Sequence, residues 1–216
     1  MVDSPPTRSS RRKAMTRSAL VRAAQQLMAE GRTSVAILEI TQLADVGMGS
    51  FYNHFETKEQ LFQAAVDDAL EIHGSLMDAL TEGIEDPAEA FAQSFRITGR
   101  LHRAQPELSK VLLSFGTSLL TSDHGLAPRA MRDIQLGIDA GRFTIADAEV
   151  GLTVAAGTAL ALGQLLHDRP ERDAAETADQ ATKAVLLMLG LGAEDAEALC
   201  ALPLPDLEGL LDGSAA

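Results

Sequence analysis

Tryptophan is absent from this 216-residue chain, tyrosine occurs once, and aromatic residues make up only 4% of it. Strands draw on aromatic and β-branched residues, so a sheet-built interior is disfavoured. The one cysteine, Cys200, excludes a disulfide framework within the chain. Its apolar neighbours Leu199 and Leu202 mark it as a small filler residue. No apolar stretch approaches the ~18 uninterrupted residues of a membrane span. The N-terminal MVDSPPTRSSRRKAM is basic but has no apolar segment behind it, so it does not read as a signal peptide. A cytoplasmic protein with no membrane partner is expected.

Positive charge is scarce too, with 18 Lys and Arg against 31 Asp and Glu and a net charge of −13. Its distribution is uneven. Residues 1–58 carry +3, and the rest of the chain carries −16. One end can approach a polyanion while the remainder is repelled from it. An ordinary solvated surface with a basic tail would show the same asymmetry.

What is abundant is helical. Apolar residues are 46% of the chain, and alanine and leucine, the best helix formers, dominate them. Residues 1–12 are rich in Pro, Ser and Arg without periodicity and read as a disordered basic arm. Leu20, Ala24, Leu27 and Met28 recur at helical spacing between Lys13 and Glu30, and Gly31 ends the run. Residues 35–44 predict a short helix, Asp45 sits at a turn that needs left-handed backbone, and a second short helix spans about 47–54. Thr57 and Gln60 form a capping box ahead of a long apolar-faced helix. Asp86-Pro87 and Pro106 open two more. Further helices cover about 126–140, a run capped by Thr144 as far as His167, and 172–189, before a short helical tail. No strand pattern survives, so the fold class is all-α, without an internal repeat.

The segment VAILEITQLADVGMGSFYNHFETK, residues 35–58, carries the chemistry. Ile37, Ile40, Leu43, Ala44, Val46, Phe51 and Phe55 face inward, and two helices this short need the first helix as a third wall. That is a helix-turn-helix, whose second helix enters a DNA major groove. Met48, Gly49, Ser50, Asn53 and His54 are left facing outward. They are short enough for the backbone to approach base edges, with Ser and Asn able to hydrogen-bond and Met able to meet a thymine methyl. Taken singly, Tyr52 reads as a core ring with an exposed hydroxyl and Lys58 as a solvated charge; the assembled string favours the DNA-binding reading.

The string ITQLADVGMGSFYNHFETKEQLF resembles the signature of the TetR (tetracycline-repressor) family. Phe51-Tyr52, Phe55, Lys58 and Leu61 fall in register, and the likeness covers about residues 13–65. The resemblance implies a three-helix DNA-binding domain over 13–60, with its helix-turn-helix at about 36–55. It implies an all-helical ligand-binding and dimerisation domain over 61–205 and a tail over 206–216. By it, Tyr52, His54 and Lys58 contact phosphates, while Gln42, Met48, Ser50 and Asn53, with Gly47 and Gly49 between them, face bases. The chain departs from the family at Ala36, where Thr or Ser is usual and where Thr33 or Ser34 could substitute. Thr41, Asp45 and Met48 also replace the usual Ala, Gly and basic residue.

Residues 66–216 hold no motif. Candidate cavity residues are Met77, Phe91, Phe95, Leu112, Phe115, Met131, Ile134 and Phe143, with His73 and His102 interrupting apolar faces. The more ordinary reading of each is filled core or, for the histidines, a satisfied boundary residue. The Gly- and Ala-dense run EVGLTVAAGTALALGQLL and residues 173–189 predict two adjacent helices that meet a second copy in a four-helix interface. A homodimer also lets two recognition helices read both halves of a palindrome.

Enzyme chemistry finds no support. The residues three before the five histidines are Phe51, Leu70, Gly99, Thr121 and Gln164, so no di-iron Glu-x-x-His exists. There is no His-Glu-x-x-His, no cysteine pair, no phosphate-cradling glycine loop and no nucleophile elbow. No metal and no cofactor is expected. The expected function is a repressor, released from operator DNA by a small, largely apolar effector. A regulator without an effector, acting as an activator or under a protein partner, and a helical interaction module are the competing readings.

Overall fold

A computed structural model describes residues 8–116 and 126–205. Its helices are α1 (Arg8–Ala29), α2 (Ile37–Leu43), α3 (Met48–Tyr52), α4 (Lys58–Thr81), α5 (Pro87–Ala104), α6 (Pro106–Phe115), α7 (Leu126–Asp139), α8 (Ala148–Asp168), α9 (Ala174–Met188) and α10 (Ala193–Ala201). No strand occurs among the described residues. The chain is all-α, with an N-terminal helix-turn-helix and a helical C-terminal region.

Local chemistry sets most boundaries. Thr57 caps α4 by accepting from the Gln60 N–H, while the Gln60 side chain accepts from the backbone N–H of Glu56 rather than that of Thr57. Asp86 caps α5 through the Ala88 N–H, with Pro87 in the first turn where its missing N–H is harmless. The α8 cap differs from the expectation. Asp147 accepts from Glu149 and Val150, whereas the Thr144 hydroxyl donates to the Gly190 carbonyl and ties the α7–α8 loop to the end of α9. Thr144 lies too far from the helix start once that tie is made. Helix α1 begins at Arg8, so residues 8–12 are helical rather than part of an irregular arm. Serine and arginine tolerate a helix that α4 and α6 already support further along. The loop expected at TSDHG lies outside the described residues.

Two large apolar clusters organise the packing, with a small third of Met77, Ile97 and Leu101 joining α4 to α5. One joins α1 to α4 around Leu20, Leu27, Ile40, Phe51, Leu61 and Val66, and takes in Val111 and Leu112 from α6. The other lies among α5, α7, α8 and α9 around Phe91, Ile134, Phe143, Leu166, Val185 and Leu186. Helix α4 is long enough to serve both regions, as its continuous apolar face predicts. Glycine allows two close approaches. A Cβ at Gly99 would lie 2.5 Å from the Cβ of Ala178, which lets α5 press against α9, and at Gly137 it would lie 2.2 Å from the Phe143 ring.

Buried charge is tied down across helices. Arg96 is 5% exposed and pairs with Asp179 at 2.8 Å, while Arg100 grips the same carboxylate with two N–H groups at 2.8 and 2.9 Å. Arg96 also donates to the Leu202 carbonyl, fastening α5 to α9 and to the end of α10. By length and mean hydropathy of 1.4, α8 could cross a membrane. In this fold it is packed against α5, α7 and α9 instead.

Candidate nucleic-acid interface and ligand cavity

The N-terminal head is built on two phenylalanines. Phe51 is fully buried and Phe55 nearly so, their ring centroids 6.0 Å apart, and they seat α3 and the turn after it in the N-terminal core. The turn before it is closed by the Val46 N–H donating to the Thr41 carbonyl, with Asp45 at φ 52°. This is the left-handed position that the sequence pattern requires, filled by a residue whose short polar side chain tolerates it. Thr41 stands where alanine is usual and satisfies its buried hydroxyl on the Leu38 carbonyl. Ala36 precedes α2 without any side-chain cap, so neither Thr33 nor Ser34 takes over that role.

With Phe51 turned inward, the opposite face of α3 is open. Gln42, Gly47, Met48, Gly49, Tyr52 and Asn53 are exposed, and Ser50 and His54 are half-buried. A Cβ at Gly47 or Gly49 would meet nothing within 4 Å. Nothing inside the chain therefore demands glycine at either position. Helix α3 ends at Tyr52, earlier than expected, with the His54 N–H bonded to the Phe51 carbonyl. Lys58, in the first turn of α4, is half-buried and donates one N–H to the Val35 carbonyl at 3.3 Å. Two of its three donors remain for an outside partner. Burial, then Lys13 and Arg17, hold the His54 pKa below its ordinary value. Arg17 also lies 5.5 Å over the Phe55 ring. Lys13 and Arg17 join the head from α1. Their place was hidden in the sequence, which shows their charge but not their distance from α3.

A cavity of about 140 Å³ opens between α4, α5, α6, α7 and α8. Met77, Phe91, Phe95, His102 and Leu112 line it. His73 does not. It is 3% exposed and sits behind the wall, its Nε2 3.0 Å from the hydroxyl of Thr98, which does line the cavity. Met131, Ile134 and Phe143 pack into the core instead, with Phe143 edge-on to Phe91 at 5.7 Å. The Phe115 side chain lies outside the described residues. Sequence reading missed the small apolar wall of α8 (Leu152, Ala155, Ala156 and Ala159) and a polar end made by Asp78, Arg129 and Asp133. The signal for the latter was Arg129 and Asp133 one turn apart on α7.

That polar end is strongly organised. Arg129 donates to Asp78 at 2.6 Å and to Glu71 at 2.8 Å, and Arg132 donates to Asp78 at 2.9 Å. Burial raises the Asp78 pKa, but the two guanidinium groups outweigh it and hold the carboxyl below its ordinary value. Asp133 behaves oppositely, its carboxyl pushed up by burial against a weaker pull from Arg132. Burial also pushes His73 and His102 down to about 4, so both rings are neutral near pH 7. No group of His, Cys, Asp and Glu suited to a metal ion occurs among the described residues. The cavity can hold one ring-sized apolar body and offers it hydrogen-bonding groups at a few points of its wall.

Comparison with known proteins agrees with this geometry. Residues 19–65 match the model for bacterial regulatory proteins of the tetR family, and residues 86–201 match that for the tetracyclin repressor-like C-terminal domain. The structure of RolR without ligand is 34% identical, covering 88% of this chain and 98% of its own, with a TM-score of 0.71. RolR in complex with resorcinol is 33% identical over 91% of this chain and 98% of its own, with a TM-score of 0.65. A tetR family transcription regulator from Shewanella sp. PV-4 shares the fold at 19% identity, covering 81% and 95% of the two chains with a TM-score of 0.67. No curated protein matches the sequence. The helix-turn-helix with its outward α3, the helical C-terminal region and both family matches make this chain a member of the TetR family, a DNA-binding transcriptional regulator.

Proposed function

We propose that this regulator is a cytoplasmic homodimeric repressor, released from a pseudo-palindromic operator by a small aromatic effector carrying hydroxyl groups. The carrying observation is the cavity. Its apolar walls and volume of about 140 Å³ suit a single ring, since an engineered cavity of roughly this size binds benzene. Its polar end of Asp78, Arg129 and Asp133 suits hydroxyl groups on such a ring. The likeness to RolR, solved with resorcinol, supports the same ligand class. An effector acts here only by binding one arrangement of the two heads better than the other.

Surface chemistry supports the dimer. Val150 and Leu165 on α8 and Leu187 and Met188 on α9 are exposed, with Ala161 and Ala184 among them. Two copies that join these faces form a four-helix interface. In the operator complex Gln42, Met48, Ser50 and Asn53 face bases. Gly47 and Gly49 allow the close backbone approach that nothing within the chain requires. Tyr52, His54 and Lys58 meet phosphates, and Lys13 and Arg17 extend that footprint. No cofactor and no membrane takes part.

Selection of bound fragments from genomic DNA by the purified protein tests this reading, with an enriched inverted repeat as the expected result. Resorcinol added to the complex should release the fragment. Lys58→Ala should weaken binding to all sequences and lower the slope of log affinity against log salt by about 1. Enrichment of no sequence at low ionic strength would refute the proposed mode of action.

A further inference from the structure

Charge at the polar end of the cavity is unequally matched. The carboxylates of Glu71, Asp78 and Asp133 share the guanidinium groups of Arg129 and Arg132, so the cluster carries a net negative charge. Every nitrogen of Arg129 is engaged by α4, Nε by Asp78 at 2.6 Å and Nη1 and Nη2 by Glu71 at 3.1 and 2.8 Å. Gly74 provides its seat, since a Cβ there would stand 2.6 Å from Nη1 and 2.9 Å from Cζ. Turning this group toward an anion in the cavity would break those bonds and strand the carboxylates that hold it. His102, its ring seated against Gly163, also lines the cavity but adds no positive charge, because burial keeps it neutral near pH 7.

Asp133 is the carboxylate with capacity to spare. Ala127, Ala130 and Asp133 recur every third residue on one face of α7, and all of them line the cavity. The Asp133 side chain is 21% exposed, and Arg132 meets it at one oxygen only, with Nε 2.9 Å and Nη2 2.8 Å from Oδ1. Its Oδ2 has no hydrogen-bond partner among the described residues and is not sealed in the interior. An ionised carboxylate accepts hydrogen bonds and donates none, so a molecule that satisfies this oxygen must bring its own hydrogen. An anion brought here would lose its water and meet a like charge instead of a counter-charge. Resting on the effector reading above, we infer that Asp133 is the specificity-determining residue of the cavity, accepting the hydroxyl hydrogen of a neutral ring and repelling a ring that carries a carboxylate. The effector class narrows to uncharged phenols, and aromatic acids are excluded by charge rather than by size.

Calorimetric titration of the full-length protein with resorcinol, 3-hydroxybenzoate and 3-hydroxybenzamide tests this. The acid and the amide differ in charge but hardly in shape. Resorcinol and the amide should bind, and the acid should bind about a hundredfold more weakly than the amide, as juxtaposed like charges require. Asp133→Asn keeps the shape of the side chain and removes its charge. It should weaken resorcinol about tenfold, the loss of one hydrogen bond to a charged acceptor, and narrow the gap between acid and amide by roughly the same factor. Should that variant fold poorly, Asp133→Ser removes the same charge and decides. An amide bound as poorly as the acid would show that size makes the choice. Acid and amide bound equally well by the wild type, or a gap that both variants leave unchanged, would show that Asp133 does not filter charge. Each of these results overturns the inference and, with resorcinol bound, leaves the effector reading intact. No binding of resorcinol or the amide by the wild type overturns both.

Discussion

Acid should destabilise this protein well above the pH at which its carboxylates titrate. His73 and His102 are 3% and 7% exposed, and burial sets both pKa values at about 4 against 6.5 when free. A depressed histidine pKa means that the unfolded chain binds more protons. The contribution is therefore present in full above 6.5 and is lost as pH falls toward 4. At about 1.36 kcal/mol per pKa unit, the full difference is roughly 3 kcal/mol for each ring. By pH 5 about 2 kcal/mol of each is gone, or about 4 kcal/mol together, a large part of the ~5–15 kcal/mol that holds a domain folded. Asp133 works in the opposite direction, because burial raises its pKa, and trims the total. Asp78 and Asp179, held below the ordinary carboxylate range, lose their contributions only at lower pH. Urea unfolding at fixed protein concentration, at pH 7.5 and pH 5, measures the difference. His73→Gln should remove about half of it. A midpoint unchanged between the two pH values would mean that neither histidine is held neutral by the fold.

Two further outcomes follow from single contacts. Asp179→Ala should destabilise by about 3–5 kcal/mol in denaturant unfolding, because it strands the buried Arg96 guanidinium without its counter-charge. A loss below 1 kcal/mol would show that the Leu199 and Leu202 carbonyls satisfy Arg96 alone. Asp45→Gly should raise stability by about 0.5–1 kcal/mol, since φ 52° favours glycine. An equal or lower unfolding midpoint would show that the Asp45 side chain contributes something to the turn beyond its backbone.

Much of the DNA-reading head was legible because local rules govern it. The period of Leu20, Ala24 and Leu27, the Thr57–Gln60 box and the left-handed Asp45 each act over a few residues. The register of Phe51 and Phe55 determines which side of α3 faces out. The boundaries were less legible. Helix α1 runs five residues further toward the N-terminus than its apolar pattern, since polar residues carry no periodic signal. Asp147 displaced Thr144 as the α8 cap because Thr144 is drawn to Gly190, 46 residues away.

The sequence by itself determined an all-helical chain, the identity of its head and the outward face of that head, since these follow from helical period, capping and turn chemistry. Only the tertiary structure decided which side chains meet across helices. It sent His102 to the cavity and His73 behind it, sank Ile134 and Phe143 into the core, and gathered Asp78, Arg129 and Asp133 at one end. The physical reason is that a helical pattern fixes which face of a helix is buried. Whether that face meets a neighbour or an empty space depends on the volumes of residues far away in the chain, such as the alanines of α8 and the glycine at 163.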